Sequence, residues 1–391
     1  MKRIGRVLAS MCVSGFLVLA PRSAAYGAAS SPRAVAYQIN RVHSGHLSDP
    51  TFTVPLAKKW SVDLGALVSY PLVAGGRVFV TVGDWQHDGN LAIYALDASS
   101  GATLWERPIG SLYNWANAAF GGGKVFVLNY DGLLQALNAA TGASLWSVRL
   151  PGQYAFSSPP TVRFGTVYTG GAGSGGTVYA VNAKTGAIRW TASVMNGDDS
   201  SPALSKHRVF VSYSCPQVYA FEQDTGALAW HYSGPCEGGG GRTPVWHRSR
   251  LYVRDEVGPG LVFAAGSGHL VDGFAADPAP AFSGDTGVFL SGGTLRGIDL
   301  STGTVIWSFA GGGQLDSAPI IVNRRVYVGG SDGVLFGVRL SDGHQVWRVN
   351  VGSPILAPDE HNVSQPLTGL GAGGGLLLIP ASDRLVAFGP A

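Results

Sequence analysis

Tyr94-Ala-Leu-Asp-Ala-Ser-Ser-Gly-Ala-Thr-Leu-Trp105 recurs as Tyr179-Ala-Val-Asn-Ala-Lys-Thr-Gly-Ala-Ile-Arg-Trp190, and again as Phe336-Gly-Val-Arg-Leu-Ser-Asp-Gly-His-Gln-Val-Trp347. Outward from these copies, Trp60, Trp105, Trp146, Trp190, Trp230, Trp307 and Trp347 repeat about every forty residues, the period of propeller blades. All but Trp60 stand four residues after a glycine. In each copy a β-branched and aromatic run such as Arg77-Val-Phe-Val-Thr-Val82 reads as a strand. A shorter strand precedes it, often opened by a proline (Pro71, Pro202, Pro319) whose missing N–H the ladder does not need there. Asp97, Asn138, Asn182 and Asp299 can bond the backbone just ahead, and Gly101, Gly142, Gly186 and Gly303 accept positive φ, so each run returns as a hairpin.

The same ruler counts the blades. The 77 residues from Trp230 to Trp307 leave room for a degenerate copy, Arg242-Thr-Pro244, Arg250-Leu-Tyr-Val253 and Leu261-Val-Phe-Ala264, in which Phe274 is expected to replace the tryptophan. The last copy (Ser364-Gln-Pro366, Gly375 to Ile379, Arg384 to Phe388) ends one strand short, while Lys58–Asp63 is a strand without a blade. The chain is therefore predicted to be all-β, an eight-bladed β-propeller of four-stranded antiparallel blades over residues 53–391, its last blade closed by the N-terminal strand. With 57 glycines, 22 prolines and only 13% charged residues, the composition argues against long helices.

Residues 1–27 read as an export signal: Lys2, Arg3 and Arg6 start it, Val7 to Ala20 is an apolar run short of a ~20-residue span, and small residues follow. Residues 28–52 read as a leader or linker. Removing residues 1–27 takes away four basic side chains, leaving 23 basic against 24 acidic residues. No polybasic stripe remains, which argues against nucleic-acid or anionic-membrane binding. Cys215 and Cys236, the two cysteines of the mature chain, map to loops on one face of the fourth blade and are expected to be bridged in a secreted or periplasmic monomer, a stabilisation of roughly 3 kcal/mol.

The pattern Ala-x-Asp/Asn-x-x-Thr/Ser-Gly-x-x-x-Trp, from Ala95 to Trp105, Ala180 to Trp190 and, with Glu222 at the acidic position, Ala220 to Trp230, resembles the docking repeat of the pyrroloquinoline quinone (PQQ) dehydrogenase-like eight-bladed propellers. The resemblance implies that the seven repeat tryptophans are structural, each ring packing between blades and burying roughly 150–250 Å². For the enzymes of that family it further implies PQQ held against a disulfide of adjacent cysteines, with calcium bound by glutamate, asparagine and aspartate. This chain has no Cys-Cys pair, and no position matches those calcium or base motifs. Non-enzymatic relatives, such as the propeller lipoprotein of the outer-membrane β-barrel assembly machinery, carry the same repeat, and a shared fold does not transfer function. There is no His-Glu-x-x-His and no dinucleotide fingerprint between a strand and a helix.

Unusual chemistry gathers in the loops of the funnel face: Asp84-Trp-Gln-His-Asp88, Tyr113-Asn-Trp115, Tyr154, Asp198-Asp199, Glu237 with Arg242, Asp316 and Asp359-Glu-His-Asn362. Trp85, Trp115, Asp198, Arg242, Asp359 and His361 are the candidate ligand-binding residues, suited to a polar organic ligand or a peptide segment. The carboxylates are equally the residues of solvated turns, and Trp115 and Trp85 suit packing beneath a loop. The reading is a ligand-binding or protein-interaction scaffold; the alternative is a minimal quinoprotein oxidoreductase using PQQ and calcium on an alcohol or sugar.

Overall fold

A computed structural model describes Met1 and residues 33–86, 90–197, 199–236 and 240–391. Apart from Met1, the segment read as an export signal lies outside these residues. Every regular element among them is a strand, and the strands form eight sheets. Leu72–Ala74, Arg77–Val82, Ala92–Asp97 and Thr103–Pro108 make blade one, antiparallel from the inner to the outer strand. Blades two to seven follow in order at 116–149, 161–193, 203–233, 245–274, 281–309 and 320–350. Blade eight is Gly371–Gly373, Leu376–Ala381 and Arg384–Pro390, completed by Leu56–Asp63 with Lys58 opposite Phe388 and Asp63 opposite Arg384. The predicted closure is therefore in place. The inner strand of this blade starts at Gly371, later than Ser364, because the stretch before it is engaged elsewhere, Leu367 bonding Tyr70 of blade one and Asn117 of blade two.

The middle strands are buried on both faces, whereas the outer strand is largely exposed: in Thr103–Pro108 only Trp105 is buried. Each such indole reaches the hairpin turn of the next blade. Trp60 Nε1 donates to the carbonyl of Ala98 (2.9 Å), Trp190 to Gln223 (2.9 Å), Trp230 to Ala265 (3.0 Å) and Trp307 to Leu340 (2.8 Å). Trp105 and Trp146 do the same to Ala139 and Ala183. The turn glycine under each ring is required twice over. Gly226 has φ +70°, and a Cβ there would lie 2.6 Å from the Trp190 ring. Trp347 meets no such turn, since the third and outer strands of blade eight are distant in sequence and no hairpin joins them, and it packs edge-on to Phe388 at 5.1 Å.

Two expectations are corrected. Opposite Val262, where the other outer strands carry tryptophan, stands Asp272; Phe274 lies two residues further on, packed against Tyr252 and Phe289. Spacing places the aspartate four residues after Gly268, and the aromatic sits beyond the docking position.

The second concerns the leader. Residues 33–52 are no linker but fill the centre of the ring, with Ala34, Tyr37, Ile39, His43 and Phe52 all buried. The inner strands would otherwise present unpaired N–H groups to the axis, and the leader supplies the acceptors. Val73, Phe120, Leu204, Trp246, Phe282 and Ile321, one from each of blades one, two, four, five, six and seven, donate to carbonyls of Ala34, Val35, Arg41, Val42, Ser44 and Gly45. His46–Leu47 adds a short parallel strand to blade seven, and Asp49 Oδ2 accepts from Gly375 of blade eight at 2.8 Å. Composition hides this role, because the segment is irregular: Gln38, Ile39 and His43 have positive φ, which turns the chain around the circle.

Trp190→Ala should lower stability by about 3–5 kcal/mol, the range for emptying a buried aromatic site, measured by denaturant unfolding. A chain beginning at residue 53 should melt at lower temperature and less cooperatively than one beginning at residue 33; coincident melting curves would refute the structural role of residues 33–52.

Candidate functional site

The funnel face is built by the loops that join each outer strand to the next inner strand, together with the loops between second and third strands. The longest joins Gln345–Asn350 to Gly371–Gly373 and crosses the mouth of the ring, bonded at Glu360 to Thr243 and Arg254 beside blade five and at Leu367 to blades one and two. Its anchor is Glu360, whose carboxylate is buried with the Arg254 guanidinium, Nη2 to Oε1 2.7 Å, and accepts from the Thr243 N–H at 2.6 Å. Arg254 also donates to the carbonyl of Asp277 (2.8 Å), as does Arg242 (3.0 Å). Burial by itself raises the Glu360 pKa, but the Arg254 charge and the Thr243 hydrogen bonds outweigh it and hold the group below the usual carboxylate range. Further along, Leu367 accepts from Tyr70 N–H at 2.9 Å. The Asn117 amide, oriented to satisfy both neighbours, accepts from Leu367 N–H (3.1 Å) and Trp115 Nε1 (3.3 Å).

The sequence candidates divide into three groups. Arg242 and Asp359 line one groove of about 460 Å³, together with Asp277, Asp316 and Glu256. His361 adjoins it: Asp359 Oδ1 accepts from the His361 N–H, and the ring stands 3.8 Å from Glu256 and 4.0 Å from Asp199, its Nε2 3.2 Å from the carbonyl of Gly241. Trp115 is brought to a different place. At 1% exposure it belongs to the core under blades two and three, with Phe126 and Phe156, so it anchors the crossing loop from below and offers no surface to a ligand. Trp85 is 64% exposed on its loop in blade one. Asp198 lies outside the described residues.

Residues outside the six candidates complete the picture. Glu360, between two candidates, is the buried one of the trio, and its partner Arg254 carried no signal beyond a charge at the end of a β-branched strand. Leu112, Tyr113, Tyr154, Met195 and Val257 are exposed apolar side chains on loops of the same face as Trp85. Tyr113 packs edge-on to Tyr130 at 4.6 Å. Cys215 and Cys236 are bridged, with Cα atoms 4.2 Å apart, tying the blade-four hairpin to the loop before Gly241. Gly329-Gly-Ser-Asp-Gly333 has the spacing of a nucleophile elbow, yet it joins strand Arg325–Gly329 to strand Val334–Arg339 with no helix after it, so its geometry is that of a hairpin.

The residues at the axis do not fit PQQ with calcium. Such a group needs a slot on the axis and a set of free oxygen ligands. Here the crossing loop runs through that place, Glu360 is already neutralised by Arg254, and no cluster of three or more His, Cys, Asp or Glu suited to a metal occurs among the described residues.

Closed ring, indole docking and funnel-face loops together define a PQQ-like eight-bladed propeller. A family model described as "Outer membrane protein assembly factor BamB" matches residues 87–191, 130–272 and 265–391, and the chain belongs to this PQQ-like family. An outer membrane protein assembly factor BamB of Yersinia pestis is 24% identical over 64% of this chain and 61% of its own length. The dehydrogenase subunit of a quinone alcohol dehydrogenase of Gluconacetobacter polyoxogenes is 28% identical over 59% of this chain and 31% of its own. The crystal structure of BamB from Moraxella catarrhalis superposes with a TM-score of 0.65 at 18% identity, covering 86% of this chain and all of that one, a likeness of fold. The matched stretch thus spans less than two thirds of the Yersinia and Gluconacetobacter proteins.

Glu360→Gln, which leaves Arg254 buried without a counter-charge, should cost about 3–5 kcal/mol in denaturant unfolding at neutral pH. Because the folded pKa of Glu360 is lowered, its contribution is present above the ordinary value of 4.5 and is lost as pH falls through the folded value. The stability gap between wild type and variant should therefore narrow on acidification below that point, and a gap independent of pH would count against the ion pair.

Proposed function

We propose that this chain is an exported protein-interaction scaffold whose partner docks on the funnel face. The observation that carries the reading is the contrast across that face. Its axis is closed by the crossing loop and the buried Glu360–Arg254 pair, while exposed Trp85, Leu112, Tyr113, Tyr154 and Met195 stand on the loops around it. Aromatic and methionine side chains are the types enriched in protein interfaces, and the rigid ring holds them without a folding penalty on binding. The His361 cluster with Asp199 and Glu256 adds a polar flank suited to a basic or hydrogen-bonding segment of the partner. The Cys215–Cys236 bridge supports an oxidising compartment, in keeping with export. Likeness to a protein named as an assembly factor agrees with a scaffold. The likeness to a quinone alcohol dehydrogenase subunit keeps a PQQ oxidoreductase as the competing reading.

A photo-crosslinking residue placed at Trp85 or Tyr154 in producing cells should give a discrete adduct that the same residue at Leu228, on the outer rim, does not give. Equal adducts from all three positions, or none from the funnel face, would sink the scaffold reading. Incubating the mature protein with PQQ and calcium should produce neither bound-quinone absorbance nor dye reduction with ethanol or glucose; turnover there would favour the oxidoreductase.

A further inference from the structure

The junction of blades five and six lacks what six other junctions share. In blade four, Trp230 lies opposite Ala220, four residues after Gly226; the same register in blade five puts Asp272 opposite Val262, four residues after Gly268. Asp272 is exposed and does not reach across. The receiving half of the junction is nonetheless built. Gly303 of blade six has φ +72° like the other turn glycines, but a Cβ there would meet nothing within 4 Å, whereas a Cβ on Gly226, Gly268 or Gly343 would lie 2.6 to 2.9 Å from an indole. The Leu300 carbonyl stands three residues before Gly303, as Ala265 stands before Gly268 and Leu340 before Gly343, the carbonyls that accept from Trp230 and Trp307.

In place of the indole there is a groove of about 710 Å³. Tyr252, Phe274 and Phe289 form its aromatic floor, with ring centroids of Phe274 at 5.6 Å from each of the other two. Arg248, Arg250 and Arg296 line the walls against two carboxylates, Asp272 and Asp285, and Arg248 already pairs with Asp285. The groove thus offers a flat apolar surface, a backbone acceptor at the position an indole N–H uses elsewhere in the ring, and a surplus of guanidinium groups. Arginine suits carboxylates because its fork of N–H donors matches their two oxygens.

We propose that this groove is a binding site for a small aromatic anion of the indole-carboxylate class. Its ring lies on Phe274 beside the Gly303 turn, its N–H donates to the Leu300 carbonyl, and its carboxylate faces Arg250 and Arg296. The volume is in the range of small-ligand pockets. The site lies among the hairpin turns of blades five and six and is independent of the funnel-face reading.

Indole-3-acetate is the probe, titrated into the mature protein by calorimetry or by ligand-observed NMR. Binding in the micromolar to millimolar range is expected, with tryptamine, which carries the opposite charge on the same ring, at least about tenfold weaker. Arg250→Gln combined with Arg296→Gln, a change at the groove wall, should weaken the probe at least about tenfold while leaving the melting temperature near that of the wild type. Asp272→Trp restores the side chain found at the other junctions; it should raise the melting temperature and abolish probe binding. Absence of binding at millimolar probe, equal binding of tryptamine, or binding unchanged in the arginine variant overturns the proposal. So does an Asp272→Trp protein that folds and still binds as the wild type does. Should Asp272→Trp fail to fold, the arginine variant and the tryptamine comparison decide.

Discussion

A ring of sheets has no first member, so each blade must present to its successor the contact it receives from its predecessor. Here that contact is one indole resting on one glycine turn and donating to one carbonyl, and Trp60, on the N-terminal strand that closes the last blade, makes it between blade eight and blade one. The contact fixes the spacing of the hairpins on one face and thereby the angle between sheets. It also explains why the repeat is strict at Gly and Trp and loose elsewhere. A methyl group on the turn glycine would collide with the ring, and a shorter side chain in place of tryptophan would leave a void that the neighbouring sheet cannot collapse to fill.

Packing between blades leaves the inside of the ring unsolved, because every inner strand has a bare edge. Water in the channel is one way to satisfy such edges. This chain instead threads its leader around the circle, so that a single irregular segment accepts from six blades in turn. Following that circle requires left-handed backbone at Gln38, Ile39 and His43, and for a β-branched residue such as Ile39 the conformation costs on the order of 1–3 kcal/mol. The hydrogen bonds to the inner strands and the burial of Tyr37, Ile39 and Phe52 offset it. The crossing loop closes the other end with a buried ion pair. Both closures act on the axis.

What was legible in the sequence follows from what is periodic. The tryptophan and glycine spacing gave the blade number and the closing strand, because those residues answer to the same geometric demand at every junction. The leader was not legible: its carbonyls do the bonding, and a backbone acceptor leaves no mark on residue type. Glu360 and Asp359 are neighbours of similar chemistry, one buried against Arg254 and one exposed, a difference set by which way a non-repeating loop turns. Trp115 breaks the repeat and so suits either a ligand or packing beneath a loop; an indole out of register is still a large apolar body, and the core takes it. Aromatic character alone points to Phe274 as the substitute tryptophan, whereas the distance from Gly268 selects Asp272.

The two faces therefore differ in how freely they can vary. Funnel-face loops connect strands already fixed by the ring, so exposed residues such as Trp85 and Tyr154 can change without disturbing any junction, and recognition there comes from side chains added to a finished scaffold. On the opposite face the turns are themselves the junctions, and a residue there is constrained by the indole it receives. A ligand site can arise among them only where an indole is withdrawn. That happens between blades five and six, and the ring tolerates it because the remaining junctions and the central leader still hold both blades in place: Trp246 and Phe282, one on each side of the gap, donate to the leader at Val42 and Ser44. The filled axis and the open junction are thus connected features, the first supplying the constraint that the second gives up.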